Sequence, residues 1–490
     1  MLLSRLAPAL LVLVAALPAL AQEPPMPPRD DPMWRAAEAA LTARMALRPN
    51  EGRAKNVILF IGDGMGVSTI TAIRIFDGQS RGNPGEENAL SFERFPYTAL
   101  VKTYNVNAQV PDSAGTASAI MTGLKTNRGV IDMAASREVA TCGDPADGVL
   151  PSLAERAAAG GRAIGVVTTA RLTHATPATV YAHSPSREWE ADVDLSAEAR
   201  ENGCTDIAAQ LIAFSHGEGV NVAMGGGRAN FLPREKGGRR GDGRDLVAAW
   251  RAHHADAQTV TTAGELAAID PASTHHLLGL FADSHMAYEA KRGDDQPSLA
   301  EMTRRAIDIL AQDDDGFFLM VEGGRIDHAH HAGRAALALR DGQAFADAVT
   351  AALARVNLDE TLIIVTADHS HVFTIAGYPA RGNPILGLAR GLDEHGHPTG
   401  KPLLGADGKP YTTLGYWDGP GALAGERPDL DEKTVTALDY RQQAAVPLHS
   451  ETHGGEDVAA FAVGPWAHLV GGVMEQNLLY HVMARAMALR

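Results

Sequence analysis

Only two cysteines, Cys142 and Cys204, occur in 490 residues, so neither a thiolate metal cluster nor a disulfide-dense scaffold is available. No run of lysine and arginine offsets the formal charge of -16. A chain of that sign has little electrostatic attraction for nucleic acid or an anionic membrane, and a small-molecule partner is expected instead. After the first 21 residues no apolar stretch is long enough to cross a bilayer, and Met487-Ala488-Leu489-Arg490 is no hydrophobic anchor tail. No cysteine follows the N-terminal cleavage motif to carry a lipid, so no membrane anchor is expected. Internal repeats and low-complexity tracts are also missing.

What is present starts with an export signal. Residues 1–21 combine a basic Arg5, an apolar run over residues 6–17 and Ala19-Leu20-Ala21 as a small-residue cleavage site. This pattern predicts a signal peptide, a mature chain starting near Gln22, and export to the periplasm or the extracellular space. In an oxidising compartment Cys142 and Cys204 are expected to form one disulfide, the alternative being two buried thiols. Residues 22–55 read as a leader with a helix over residues 31–47.

Short apolar runs bounded by turn residues follow at 56–61, 163–168, 220–224, 317–321, 361–366 and 458–463. Their unbroken apolar character suits buried parallel strands. Alanine-rich helical stretches alternate with several of them, which predicts an α/β fold: a large, mostly parallel, doubly wound sheet flanked by helices. The core is assigned to residues 56–375. Residues 376–450 are rich in Gly, Pro and charge and read as an inserted subdomain, and residues 451–490 return to the core.

The chemistry collects where strands end. Asp63, Glu322 and the pair Asp368-His369 each come directly after an apolar run, and His174 and Thr176 lie just beyond another. Ligands of an open parallel sheet bind at the carboxyl ends of its strands, so these acids and imidazoles are expected at one edge, where a metal cluster is their natural use. In residues 321–331, Asp327 and His331 are four apart and share a face if helical, though spacing leaves His330 equally open. Glu322, ahead of a glycine pair, suits a harder ion such as magnesium. His371 is a third candidate near Asp368, and His453 precedes the last apolar run. Ser113, in Asp112-Ser113-Ala114-Gly115, stands at the mouth of a helix, either as its N-cap or as a nucleophile in an anion site built from unpaired amides.

Several stretches together resemble the alkaline phosphatase family, and specifically its animal tissue-type and secreted bacterial members. They run from Asn56 (NVILFIGDGMGVST), Val110 (VPDSAGTA), Gly165 (GVVTTARLTHATP), Tyr181 (YAHS), Gly316 (GFFLMVEGGRIDHAHH), Thr366 (TADHSHVF) and Tyr440 (YRQQAAVPL). The resemblance implies a phosphate monoester hydrolase with Ser113 as nucleophile and Arg187 gripping the phosphate. It implies one zinc on Asp63, Asp368 and His369, a second on Asp327, His331 and His453, and one magnesium on Asp63, Thr176 and Glu322 with His174 beside it through water. Asp112 and His371 would stand behind these groups. It further implies a Cys142–Cys204 bridge, a crown-like insert and a homodimer.

Two positions depart from the animal pattern. Ala282 replaces a calcium-binding Glu, so no calcium site is expected, and Ser450 replaces an acid, which makes the mouth of the site less negative. The alternatives are a phosphodiesterase or another metal-dependent member of the same superfamily, and an exported metal- or phosphate-binding protein without turnover. A sulfatase would need a modifiable Cys or Ser in a C/S-x-P-x-R context, which Ser113 lacks.

Overall fold

The computed structural model describes residues 29–254 and 256–489; the expected signal peptide, residues 1–21, lies outside them. Residues 1–48 and 49–490 separate into two units. The described part of the first is a helix, Pro32–Ala46, capped by the Asp31 carboxylate on the Met33 amide at 2.7 Å and started by a proline, where the missing N–H costs nothing.

In the second unit the apolar runs become strands of one ten-stranded sheet: β1 (Asn56–Gly62), β2 (Tyr97–Lys102), β3 (Ala163–Arg171), β4 (Val222–Gly226), β5 (Gln258–Val260), β6 (Leu277–Leu280), β7 (Phe317–Gly323), β8 (Thr361–Ala367), β9 (Val458–Val463) and β10 (Gly472–Glu475). The order across the sheet is β10-β2-β9-β8-β1-β7-β3-β4-β6-β5. Every residue of β7 and β8 is buried, as expected for central strands covered on both faces. Nine strands run in one direction. The exception corrects the expectation of a parallel strand at 458–463: β9 is antiparallel to both β2 and β8. Its reversal brings its first residues to the edge where the other strands finish.

Register aligns the site. Ile61 lies opposite Glu322 on one side and Thr366 on the other, and Glu322 lies opposite Thr168. The carboxyl ends of β1, β3, β7 and β8 therefore come level. Helices cover the faces: Leu299–Leu310 starts with a Ser298/Glu301 capping box, and Ala335–Leu353, with no side-chain cap, is the longest among the described residues at 19 residues. Residues 376–450 carry smaller sheets. Leu414–Gly419 pairs with Phe373–Ile375 and Ala444–Pro447, and Arg390–Leu392 pairs with Pro398–Pro402. Cys142 and Cys204 are bonded, closing a loop with a sequence separation of 62, worth about 4 kcal/mol by chain entropy. Among the described residues no helix is long and apolar enough to cross a membrane.

One buried acid is used for no contact with the site. Burial pushes the Asp341 carboxyl up to about 8, partly offset by the Glu289 N–H, 3.2 Å from Oδ2. An acid whose pKa is higher folded than unfolded favours folding below its unfolded value and opposes it increasingly as pH rises through the folded one. Asp341→Asn is therefore expected to raise the melting temperature by a few degrees more at about pH 9 than at about pH 5. Equal shifts at both pH values in thermal scans would contradict a neutral Asp341.

Candidate active site

Pro111 keeps the chain extended ahead of the helix Ser113–Thr122, in which all ten residues are buried. The cap is Asp112, whose Oδ1 accepts the Gly115 N–H at 3.2 Å, so Ser113 is the first helical residue and not the N-cap. Its hydroxyl is therefore not used by the helix. Ser113 is 2% exposed, and Oγ lies 3.1 Å from His369 Nε2. Beside it the Arg187 guanidinium is held by Asp112 Oδ2 at 3.0 Å and donates to His174 Nε2 at 3.2 Å. Ser113, Arg187, His174, Asp327, His331 and His453 line one cavity of about 600 Å³.

Three imidazoles face inward in the same tautomer. His331 Nδ1 meets the Glu451 carbonyl at 2.6 Å, His453 Nδ1 the Pro111 carbonyl at 2.8 Å and His369 Nδ1 the Ser370 carbonyl at 3.2 Å. Nδ1 must donate to a carbonyl, so each Nε2 presents a lone pair to the site. His331 Nε2 and His453 Nε2 are only 3.0 Å apart, and each is 3.3 Å from Asp327 Oδ1. Acceptors converging this closely repel one another unless a cation lies among them.

The second group has the same character. His369 Nε2 is 3.5 Å from Asp63 Oδ1 and 3.4 Å from Asp368 Oδ2. Both Asp63 oxygens, Asp368 Oδ2, Glu322 Oε1 and Thr176 Oγ1 are buried with no hydrogen-bond partner. Asp368 Oδ1, in contrast, accepts the Gly64 and His369 amides at 3.0 and 2.9 Å, which aims Oδ2 at the centre. Gly64 has φ +67°, and a Cβ there would come within 2.3 Å of His371 Nε2, so only glycine fits. This oxygen and imidazole donor set fits zinc and magnesium.

Electrostatics agree. Burial, then repulsion from Asp368, Asp327 and Glu322, holds Asp63 well above the usual carboxylate range, and burial lifts Glu322 to about 7. Burial would raise Asp327 too, but without a metal the protons that His331, His371 and His453 turn to it stand in for a cation, outweigh burial and hold it well below, and Asp327 in turn raises His331.

His371 is different. Burial would depress it, yet Glu451 on Nδ1 at 2.5 Å and Asp327 on Nε2 at 2.8 Å outweigh that and raise it to about 10. An imidazolium donating from both nitrogens has no lone pair to offer, so His371 orients Asp327 instead of binding an ion. His174 lies close enough to Asp63 and Glu322 to share an ion with them. Its Nε2 accepts from Arg187, however, so neutral His174 carries its proton on Nδ1 and suits contact through water.

A family model described as alkaline phosphatase matches residues 54–489. The chain belongs to the alkaline phosphatase family. It is 45% identical over 478 residues to the tissue-nonspecific alkaline phosphatase of Felis catus, covering 94% of this chain and 88% of that one. The human isozyme is 44% identical with the same coverage. Among solved structures, Thermus thermophilus alkaline phosphatase superposes with a TM-score of 0.65 at 26% identity, over 91% of this chain and 94% of that one. The enzyme of the Antarctic bacterium TAB5 gives 0.61 at 26%, over 89% and 99%. With relatives this similar over nearly its whole length, the chain is a phosphoric monoester hydrolase of this family.

His330, which spacing left open, turns the other way. It is wholly buried between Thr69 Oγ1 at 3.1 Å and the Tyr416 hydroxyl at 2.7 Å. Three supporting residues escaped the sequence reading. Glu451 accepts from His371 and the Val372 N–H, Thr168 donates to Glu322, and Gln476 Nε2 donates to the Asp368 carbonyl at 2.7 Å. In the sequence Glu451 shows only as an acid two residues before His453; that it is 1% exposed is visible only in the structure.

Proposed function

We propose that the enzyme hydrolyses phosphate monoesters through a phosphoserine on Ser113. The observation that carries this reading is the free Ser113 hydroxyl beside inward-facing imidazole lone pairs and a clamped arginine. The Ser113 oxygen attacks phosphorus in line, the ester P–O bond breaks, and the alcohol leaves; water then attacks the phosphoserine, releasing phosphate and restoring the hydroxyl. Arg187, fixed on one side by Asp112, turns the rest of its planar fork to two phosphoryl oxygens, for which an arginine suits better than a lysine. The small Ala114 and Gly115 let the phosphoryl group approach the first amides of the helix, whose positive end favours it. Asp63, Asp368 and His369 would hold one zinc, Asp327, His331 and His453 the other, and Asp63, Thr176 and Glu322 a magnesium. These ions would supply Lewis acidity, lowering the pKa of the Ser113 hydroxyl and stabilising charge on the leaving oxygen. His371 holds Asp327 in place, and His174 braces Arg187.

A storage protein would need neither the free hydroxyl nor the clamp. Export is supported by the Cys142–Cys204 bond, and a homodimer is carried over from the resemblance. The test is a panel of p-nitrophenyl phosphate, its bis ester and p-nitrophenyl sulfate, assayed with zinc and magnesium. The monoester should be turned over fastest by orders of magnitude; a faster diester or sulfate would overturn the reading.

A further inference from the structure

We propose that Arg128 forms an outer anion subsite that favours phosphate esters whose alcohol carries a second anionic group, an inference that rests on the monoesterase reading above. The cavity over Ser113 adjoins a second one of about 510 Å³, bordered by Val110, Pro111, Ser450 and Thr452, and Arg128 lines both. Its position is fixed by backbone bonds to the phosphate clamp. The Arg128 N–H donates to Asn107 Oδ1 at 2.8 Å, the next amide, of Gly129, donates to both Asp112 oxygens at 3.1 Å, and the Gly129 carbonyl accepts the Arg187 N–H at 2.8 Å. The guanidinium itself is exposed and has no carboxylate partner among the described residues.

The charges around it leave it dominant. Glu451 borders the outer cavity but is 1% exposed, with its oxygens turned to His371 and the Val372 N–H. Asp112 is neutralised by Arg187. Glu188 sits on the inner rim, 3.9 Å from Arg187 Nε, and does not line the outer cavity. Ser450 adds no charge. Among the described residues the one exposed formal charge lining the outer cavity is thus positive, on a protein of net charge -16. With the reacting phosphoryl group against Ser113 and Arg187, the alcohol portion extends toward this opening. A phosphate or carboxylate on it comes within reach of a flexible side chain whose planar fork pairs with either group.

The experiment compares the metal-loaded enzyme on α,ω-alkanediol bisphosphates of about two to six carbons with alkyl monophosphates of matched length. For an exposed pair, wild type should prefer the best bisphosphate by about two- to fivefold in kcat/KM at low salt, and the preference should shrink as ionic strength rises. Arg128→Ala should lower kcat/KM for that bisphosphate by about the same factor relative to the monoester, and Arg128→Lys should restore part of it. No preference at any length, or equal losses on both substrates, would overturn the subsite. Wild type inactive on alkyl and p-nitrophenyl monophosphates would instead overturn the monoesterase reading beneath it.

Discussion

Ser113→Ala is expected to lower kcat on p-nitrophenyl phosphate by on the order of 10⁴-fold or more while leaving the metal content and the fold intact. The hydroxyl caps no helix, since Asp112 does that, and its one contact is with His369. Deleting it therefore removes the attacking atom without disturbing the carboxylates or Arg187. What survives is the slower attack of water on an ester still held by the clamp and the ions. Elemental analysis alongside steady-state kinetics checks both halves. Acid quenching of wild type during turnover should trap a covalent phosphate that the variant never forms. Near-normal turnover in the variant, or turnover lost together with the metals, would reject Ser113 as nucleophile.

Chelation is the second large effect. Treatment with EDTA should abolish turnover and lower the melting temperature, because it leaves both Asp63 oxygens, Asp368 Oδ2, Glu322 Oε1 and Thr176 Oγ1 buried without a partner. Zinc plus magnesium should restore activity, and restoration by calcium alone would count against the assigned ions. The pH dependence has a definite sign. Without metal, Asp63, Asp368 and Glu322 are raised acids, Glu322 to about 7. They favour the folded apoprotein while protonated and oppose it as pH rises through their folded values. The apoprotein should thus lose stability from about pH 5 to about pH 8 while the metal-loaded enzyme does not. Metal uptake should release protons and tighten over the same interval, which calorimetry in buffers of different ionisation enthalpy can read. Affinity that did not change with pH would contradict ligands protonated in the apo state.

Much of this arrangement is legible in the sequence, and the exceptions have physical causes. β1, β7 and β8 are visible because a strand covered on both faces must be apolar throughout. β2 is not, because Tyr97–Lys102 buries only alternate residues and mixes Lys102 and Thr98 into the run. β5 is three residues long at the sheet edge, too short to show a period. The direction of β9 is invisible because an apolar run reads the same either way; only the path of the preceding chain decides it. Among site residues, the acids after strands stand out because a parallel sheet gathers its strand ends. His330 and His331 cannot be separated by spacing, since the 100° between them is resolved only by where the helix Arg325–His331 sits against Thr69 and Tyr416. Glu451 looks like a surface acid until its buried partners are known.

The reversed β9 also imposes an order of assembly. Its first residues lie at the site only after the strand has inserted between β2 and β8, and His453, paired through the short strand His453–Gly454 with Ser370–His371, arrives with it. During synthesis Asp327 and His331 therefore emerge long before His453, the residue proposed to complete their set. Under the proposed metal assignment, capture of the ion they share would be one of the last events in making the enzyme, and a chain ending before residue 453 would lack its third donor.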